Sequence, residues 1–136
     1  MPLDREHLKG LADFRLALRR FLAASEAISS GAGVTARQYQ ALLAIKARGT
    51  GATAMKDLAE ELLLTHHAAV QLVDRLAKAG LARRRPAPQD RRSVMLELSP
   101  KGEALLAELA AKHLEAMLEQ EPQLSASLRR LKSLKG

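Results

Sequence analysis

The sequence predicts a mainly α-helical chain with one small β-hairpin, and three observations carry that prediction. Apolar residues recur at three- and four-residue steps through most of the chain, which places them along one side of a helix. The apolar content is mostly Leu and Ala, with only Phe14, Phe21 and Tyr39 as aromatics, a composition that favours helix over sheet. One stretch breaks the helical period: Val94, Leu96 and Leu98 alternate with Met95 and Glu97, the pattern of a strand over 93–98 with one buried face.

The elements follow in order. Leu8, Leu11, Arg15, Leu18, Phe21 and Leu22 mark a long amphipathic helix over residues 3–30, ending near Ser29-Ser30-Gly31. Thr35 and Gln38 fit a capping box that opens a second helix carrying Tyr39, Leu42, Leu43 and Ala47. Leu58, Ala59, Leu62 and Leu63 predict a short helix, and only Leu64 and Thr65 separate it from another whose buried stripe is Ala69, Leu72, Val73 and Leu76. Two helices joined by so short a turn are a helix-turn-helix candidate. Thr65 suits the N-cap of the second, Lys78 its C-terminal dipole, and Gly80 a left-handed stop.

Beyond Gly80 comes Arg83-Arg84-Arg85-Pro86-Ala87-Pro88-Gln89-Asp90-Arg91-Arg92. Pro86 and Pro88 cannot donate ladder hydrogen bonds, while Gln89 and Asp90 suit a turn, so residues 86–91 are expected as a projecting loop between two short strands. Ser99 and Pro100 then open a long helix with Leu106, Leu109, Ala110, Leu114, Met117 and Leu118 on its apolar side. It is expected to run about 30 Å before Pro122 stops it. A last short helical segment carries Leu124, Leu128 and Leu131.

A chain of 136 residues, 47% of them apolar, is one domain's worth with one core. The apolar stripes near both termini exceed what a small lobe can cover, which predicts a dimer. Of the net charge of +7, residues 65–92 hold +5, seven Lys and Arg less Asp74 and Asp90. That concentration is the footprint of a polyanion, nucleic acid first. The absence of cysteine excludes disulfide and thiol redox chemistry. No apolar run approaches the ~20 residues of a membrane span, and the N-terminus lacks the apolar core of a secretion signal, so a cytoplasmic protein is expected. No activated nucleophile, carboxylate pair or phosphate loop points to an enzyme. His7, His66, His67 and His113 form no metal-ligand ladder, since adjacent histidines diverge by about 100° on a helix, and neither metal nor cofactor is expected.

On the helix over 66–79, His66, His67, Val70, Gln71 and Asp74 lie opposite the buried stripe. Gln71 has the donor–acceptor pair that adenine offers a partner for, and Val70 suits a thymine methyl. Such a face is equally that of an ordinary solvated helix; the short turn before it and the basic hairpin after it favour a reading role. The arginines, too, are either a solvated run or a hairpin that enters a groove. In the second case Arg92 sits in the minor groove, Arg91 on a phosphate, and Asp90 orients the arginine or closes the turn.

The order of helix, capped helix, helix-turn-helix, Gly80-Leu81, Arg84-Arg85-Pro86, Pro88, Asp90-Arg91-Arg92, Leu96, Leu98, Ser99 and Gly102 resembles the multiple-antibiotic-resistance regulator (MarR) family of winged-helix transcription factors. Its most specific part is Asp90-x-Arg92 followed by Leu96-x-Leu98-Ser99-x-x-Gly102, supported by Leu72-Val73-Asp74-Arg75-Leu76. The resemblance implies a winged helix-turn-helix lobe over 35–98, dimerisation helices over 3–30 and 100–135, and a homodimer on a pseudopalindromic DNA duplex. The implied DNA-binding set is Thr65, His66, His67, Val70, Gln71, Arg75, Arg84, Arg85, Asp90, Arg91 and Arg92. Arg83, Ala87 and Gln89 depart from the family's often acidic positions and make this hairpin more basic, which implies weaker sequence discrimination. Many members bind small aromatic acids between the dimerisation helices and the lobe, near Phe14, Arg15 and Tyr39 here; Phe14 and Tyr39 suit a core better, with the Arg15 stem lying over it. The function implied is a transcriptional regulator, most often a repressor. The competing reading is a winged helix that docks an acidic protein partner through the same basic surface.

Overall fold

The structure, a computed structural model, describes residues 2–48, 53–86 and 94–135. The first helix, α1 (Arg5–Gly31), is opened by a capping box in which the His7 N–H donates to Asp4 Oδ1 at 3.0 Å. It packs along the last helix, α5 (Pro100–Lys135), through small residues: Gly10, Ala17, Ser25 and Ser29 form its buried face. The approach is close enough that a Cβ on Gly10 would lie 2.6 Å from Leu131 Cδ2. Because small side chains make this seam, the leucines of α1 turn outward, with Leu8 57% and Leu22 48% exposed.

Two expectations are corrected on α5. Pro122 lies inside the helix and does not stop it, so the segment around Leu124 to Leu131 belongs to the same helix. Proline removes one intrahelical bond, but packing beyond it holds the turns in place: Leu131 sits on Gly10, and Arg130 pairs with Glu6. Leu106 and Leu109, expected on a partner-facing stripe, are 7% and 0% exposed in the chain's own core; Leu114, Met117 and Leu118 remain outward.

The lobe between these helices is built from α2 (Ala36–Ala47), β1 (Thr53–Ala54), α3 (Met55–Glu61), α4 (His66–Lys78), β2 (Ala82–Pro86) and β3 (Val94–Leu98). Its sheet is antiparallel in the order β1-β3-β2, with Arg84 opposite Leu96 and Thr53 opposite Leu96 on the other edge. Leu42, Leu58, Val73, Leu76 and Leu96, each 0% exposed, form the centre of the core, and Leu109 closes it from α5. The capping box of α2 is present as expected, with Thr35 and Gln38 exchanging bonds of 2.8 and 3.0 Å.

Smaller corrections follow from local geometry. The helix α3 ends at Glu61, and Leu62 and Leu63 belong to the turn: Leu63 has φ 55°, and the Leu64 N–H returns to the Ala59 carbonyl at 2.9 Å. Pro86 is the last residue of β2, not part of a loop. Val94, expected on the buried face of its strand, is 39% exposed because it lies beyond the core edge.

One corner ties the lobe to α5. Gly80, at φ 75°, ends α4 and turns the chain into β2. The Ser99 N–H donates to the Leu81 carbonyl at 3.0 Å, Ser99 Oγ accepts from the Gly102 N–H at 3.0 Å, and Lys101 Nζ donates to the Ala79 carbonyl at 3.1 Å. A Cβ on Gly102 would fall 1.9 Å from the Leu81 carbonyl oxygen, a contact with backbone that no rotamer relieves. Gly102→Ala should therefore lower stability by about 2 to 3 kcal/mol, read as a fall in the denaturant midpoint. Leu63→Gly should raise it, by somewhat under 1 kcal/mol: left-handed backbone costs a leucine about 1–2 kcal/mol, and glycine returns part of that as unfolded-chain entropy. An unchanged midpoint for either variant contradicts the geometry assigned to that residue.

Candidate nucleic-acid interface

The buried stripe of α4 is Ala69, Leu72, Val73 and Leu76, as the spacing predicts. At about 3.6 residues per turn, His67, Gln71 and Asp74 fall opposite it, His66 and Val70 on the flank toward β2, and Arg75 on the other flank. His66, His67, Gln71, Asp74 and Arg75 are exposed and Val70 half-buried. Thr65 caps the helix, its Oγ1 accepting from the Ala68 N–H at 3.1 Å, which fixes where the first turn begins.

Strand alternation divides the three arginines of β2. Arg83 and Arg85 point to the outer face of the hairpin, where Glu97 of β3 takes both: Arg83 Nε and Arg85 Nη1 each donate to its carboxylate at 2.8 Å. Arg85, with Arg83 beside it, holds the Glu97 carboxyl below the ordinary glutamate range. Arg84 points to the opposite face, toward α4, and its Nη2 donates to Asp74 Oδ1 at 2.6 Å.

Beside Arg84 lies an open cavity of about 450 Å³, lined by Ala54, Met55, Lys56, His66, Val70, Arg84 and Val94. It brings together β1, α3, α4 and the hairpin stem. Lys56 is the member sequence reasoning missed: it sits in the first turn of α3, and nothing in the periodicity distinguishes it from an ordinary solvated lysine. The structure thus gathers Thr65, His66, His67, Val70, Gln71 and Arg84 on one surface, leaves Arg75 on the far flank of α4, and sets Arg85 on the other side of the hairpin. Asp90, Arg91 and Arg92 lie outside the described residues, as do Ala87 and Gln89.

Phe14, Arg15 and Tyr39 are not brought together within one chain. Tyr39 is buried, its ring stacked on His113 at 3.8 Å between centroids and 4° between planes. His113 Nε2 meets Ser25 Oγ at 2.8 Å, and its Nδ1 meets the Leu109 carbonyl at 2.7 Å. Phe14 lies eleven residues before Ser25 on α1, about 16 Å along the axis. Among the described residues no group of three or more His, Cys, Asp or Glu is placed to hold a metal, and no helix is long and apolar enough to cross a membrane.

A sequence profile of the MarR family matches residues 32–93. The HTH-type transcriptional regulator PecS of Dickeya dadantii is 31% identical over 83 residues, 60% of this chain and 50% of that protein. The chain thus spans about half the length of the curated relatives it matches. Among solved structures, AbsC, a MarR family transcriptional regulator from Streptomyces coelicolor, superposes with a TM-score of 0.79 at 20% identity, over 88% of this chain and 81% of that one. A probable transcriptional regulator from Pseudomonas aeruginosa gives 0.69 at 30% identity, over 90% and 92%. A mutant E. coli MarR complexed with operator DNA gives 0.69 at 22% identity, over 88% and 87%.

The Glu97 clamp predicts a pH dependence of known sign. A carboxyl held below its ordinary value stabilises the fold above that value and loses the contribution as pH falls through the depressed one. Glu97→Gln should therefore melt lower than the parent at pH 7, with the gap closing as the pH drops below about 4. A gap that is constant across this range would mean that the clamp does not depend on the charge.

Proposed function

We propose that the chain is a dimeric MarR-type regulator of transcription that recognises a specific duplex through α4 and the β2–β3 hairpin. The observation that carries this reading is the union on one surface of the unburied face of α4 with cations from two further elements, Lys56 of α3 and Arg84 of β2. A helix of this kind fits the major groove, where His67 and Gln71 meet base edges, while Lys56 and Arg84 lie at the level of the backbone. Three residues outside the described ones belong to the same proposal: Arg92 as the minor-groove contact, Arg91 as a phosphate contact, and Asp90 orienting the arginine or closing the turn.

Dimerisation is supported by the apolar residues that one chain leaves in water on its two terminal helices: Leu8, Leu11 and Leu22 of α1, and Leu114, Met117 and Leu118 of α5, are between 46% and 62% exposed. Contiguous apolar surface of this kind marks an interface. A twofold dimer presents two copies of α4 to one side of a pseudopalindromic duplex. Repression is the form of regulation the reading favours, since a protein lying across the duplex excludes other proteins from the same site. A small aromatic effector belongs to the same proposal near Tyr39, whose ring stacks on His113 where α1, α2 and α5 meet.

Binding should be strongly electrostatic: if two lobes neutralise ~6 to 10 phosphates, affinity falls about 10³- to 10⁵-fold between roughly 50 and 200 mM salt. Gln71→Ala should cost about 1 to 3 kcal/mol on the duplex that the protein selects from a random pool and relax one base position per half-site. Failure to retain any duplex at low salt, with capture of an acidic protein instead, would replace this reading with a protein-docking one.

A further inference from the structure

We propose that the cavity between α3, α4 and the hairpin stem seats one deoxyribose-phosphate unit of the duplex backbone in each lobe, and that Asp74 is the residue that positions its principal cation. This rests on the duplex-binding reading above and assigns the chemistry of one subsite within it. The cavity, about 450 Å³ and open to solvent, has apolar walls in Met55, Val70 and Val94 and a polar rim in Lys56, His66 and Arg84, with the Lys56 and Arg84 cations on it. A sugar ring suits such walls, and an attached phosphate suits such a rim. The rim residues come from three different elements, so the fold sets their separation.

Asp74 is a carboxylate on a face meant for a polyanion, where plain electrostatics opposes it. Folding does not explain its place: the Arg84–Asp74 pair is 38% and 57% exposed, and ion pairs in that setting add little to stability. Geometry offers a reason. Arg84 carries five N–H donors on a flexible stem, and its Nη2 is held by Asp74 Oδ1 at 2.6 Å while the residue lines the cavity. The bond fixes the stem before the duplex arrives and leaves the remaining donors to the phosphate. Ordering a long side chain in advance removes part of the entropy cost of binding. Asp74 is thus a positioning residue that acts through Arg84.

The sign of one substitution separates this from simple repulsion. The probes are the duplex that the full-length wild-type protein enriches from a random pool and a scrambled duplex of equal length. Asp74→Asn keeps the side-chain shape and removes a negative charge from the duplex-facing surface. It should nevertheless weaken binding to the enriched duplex about tenfold, while the scrambled duplex binds unchanged or more tightly. Asp74→Glu should recover part of the loss. Arg84→Ala should reduce the slope of log affinity against log salt by about 2, close to one phosphate per lobe, and Asp74→Asn added to it should cost nothing more. Tightening of both duplexes by Asp74→Asn overturns the positioning role, as does an undiminished effect of Asp74→Asn in the Arg84→Ala background. An unchanged salt slope for Arg84→Ala overturns the phosphate seat while leaving duplex binding itself intact. A wild-type protein that retains neither duplex defeats the functional reading as a whole.

Discussion

The close seating of Gly102 on the Leu81 carbonyl is the contact on which the arrangement of the molecule depends. The end of α4, the start of β2 and the start of α5 meet there within a few residues. A side chain at position 102 has no space, and the surrounding bonds from Ser99 and Lys101 leave the backbone little freedom to move away. The direction of α4, the base of the hairpin and the departure of the long helix are therefore fixed together. A lobe held at one end of a 36-residue helix is placed wherever that helix is placed, so in the proposed dimer that helix would set the spacing of the two duplex-facing surfaces.

The terminal helices obey a complementary constraint. Their intrachain seam uses glycine, alanine and serine, so two helices lie close together without consuming their leucines. The leucines remain as an outward apolar surface. In the same way, the period of two in β2 separates its cations by role. Arg83 and Arg85 serve Glu97 and brace the hairpin, whereas Arg84 turns to α4 and the open cavity. Net charge counted along the sequence therefore overstates the positive charge that the stem presents to a partner.

Much of this was legible in the sequence because it depends on local rules. Thr35 with Gln38, Thr65, Gly80 and the stripe from Ala69 to Leu76 are cap, stop and periodicity signals that neighbouring residues complete by themselves. The misreadings arise where distant contacts overrule local preference. Pro122 predicts an end to the helix, yet packing on α1 carries the chain through it. Leu63 looks like the last apolar residue of a helix, yet it occupies a left-handed turn position more natural to glycine. The two-residue strand β1 is too short to show a period, and it exists only because β3 offers an edge. At the candidate interface, the exposed face of α4 follows from helical geometry alone. Lys56 and the Asp74–Arg84 pair required knowledge of which elements pack together.

The central claim is that two lobes of this kind read one side of a duplex. Hydroxyl-radical footprinting on the duplex enriched from a random pool tests it most directly. The account predicts two protected patches related by a twofold axis and centred about one helical turn, ~10 bp, apart on the same side of the DNA. Each patch should be flanked by minor-groove protection from the hairpin. A single unpaired patch, or protection spread evenly around the duplex, would contradict it.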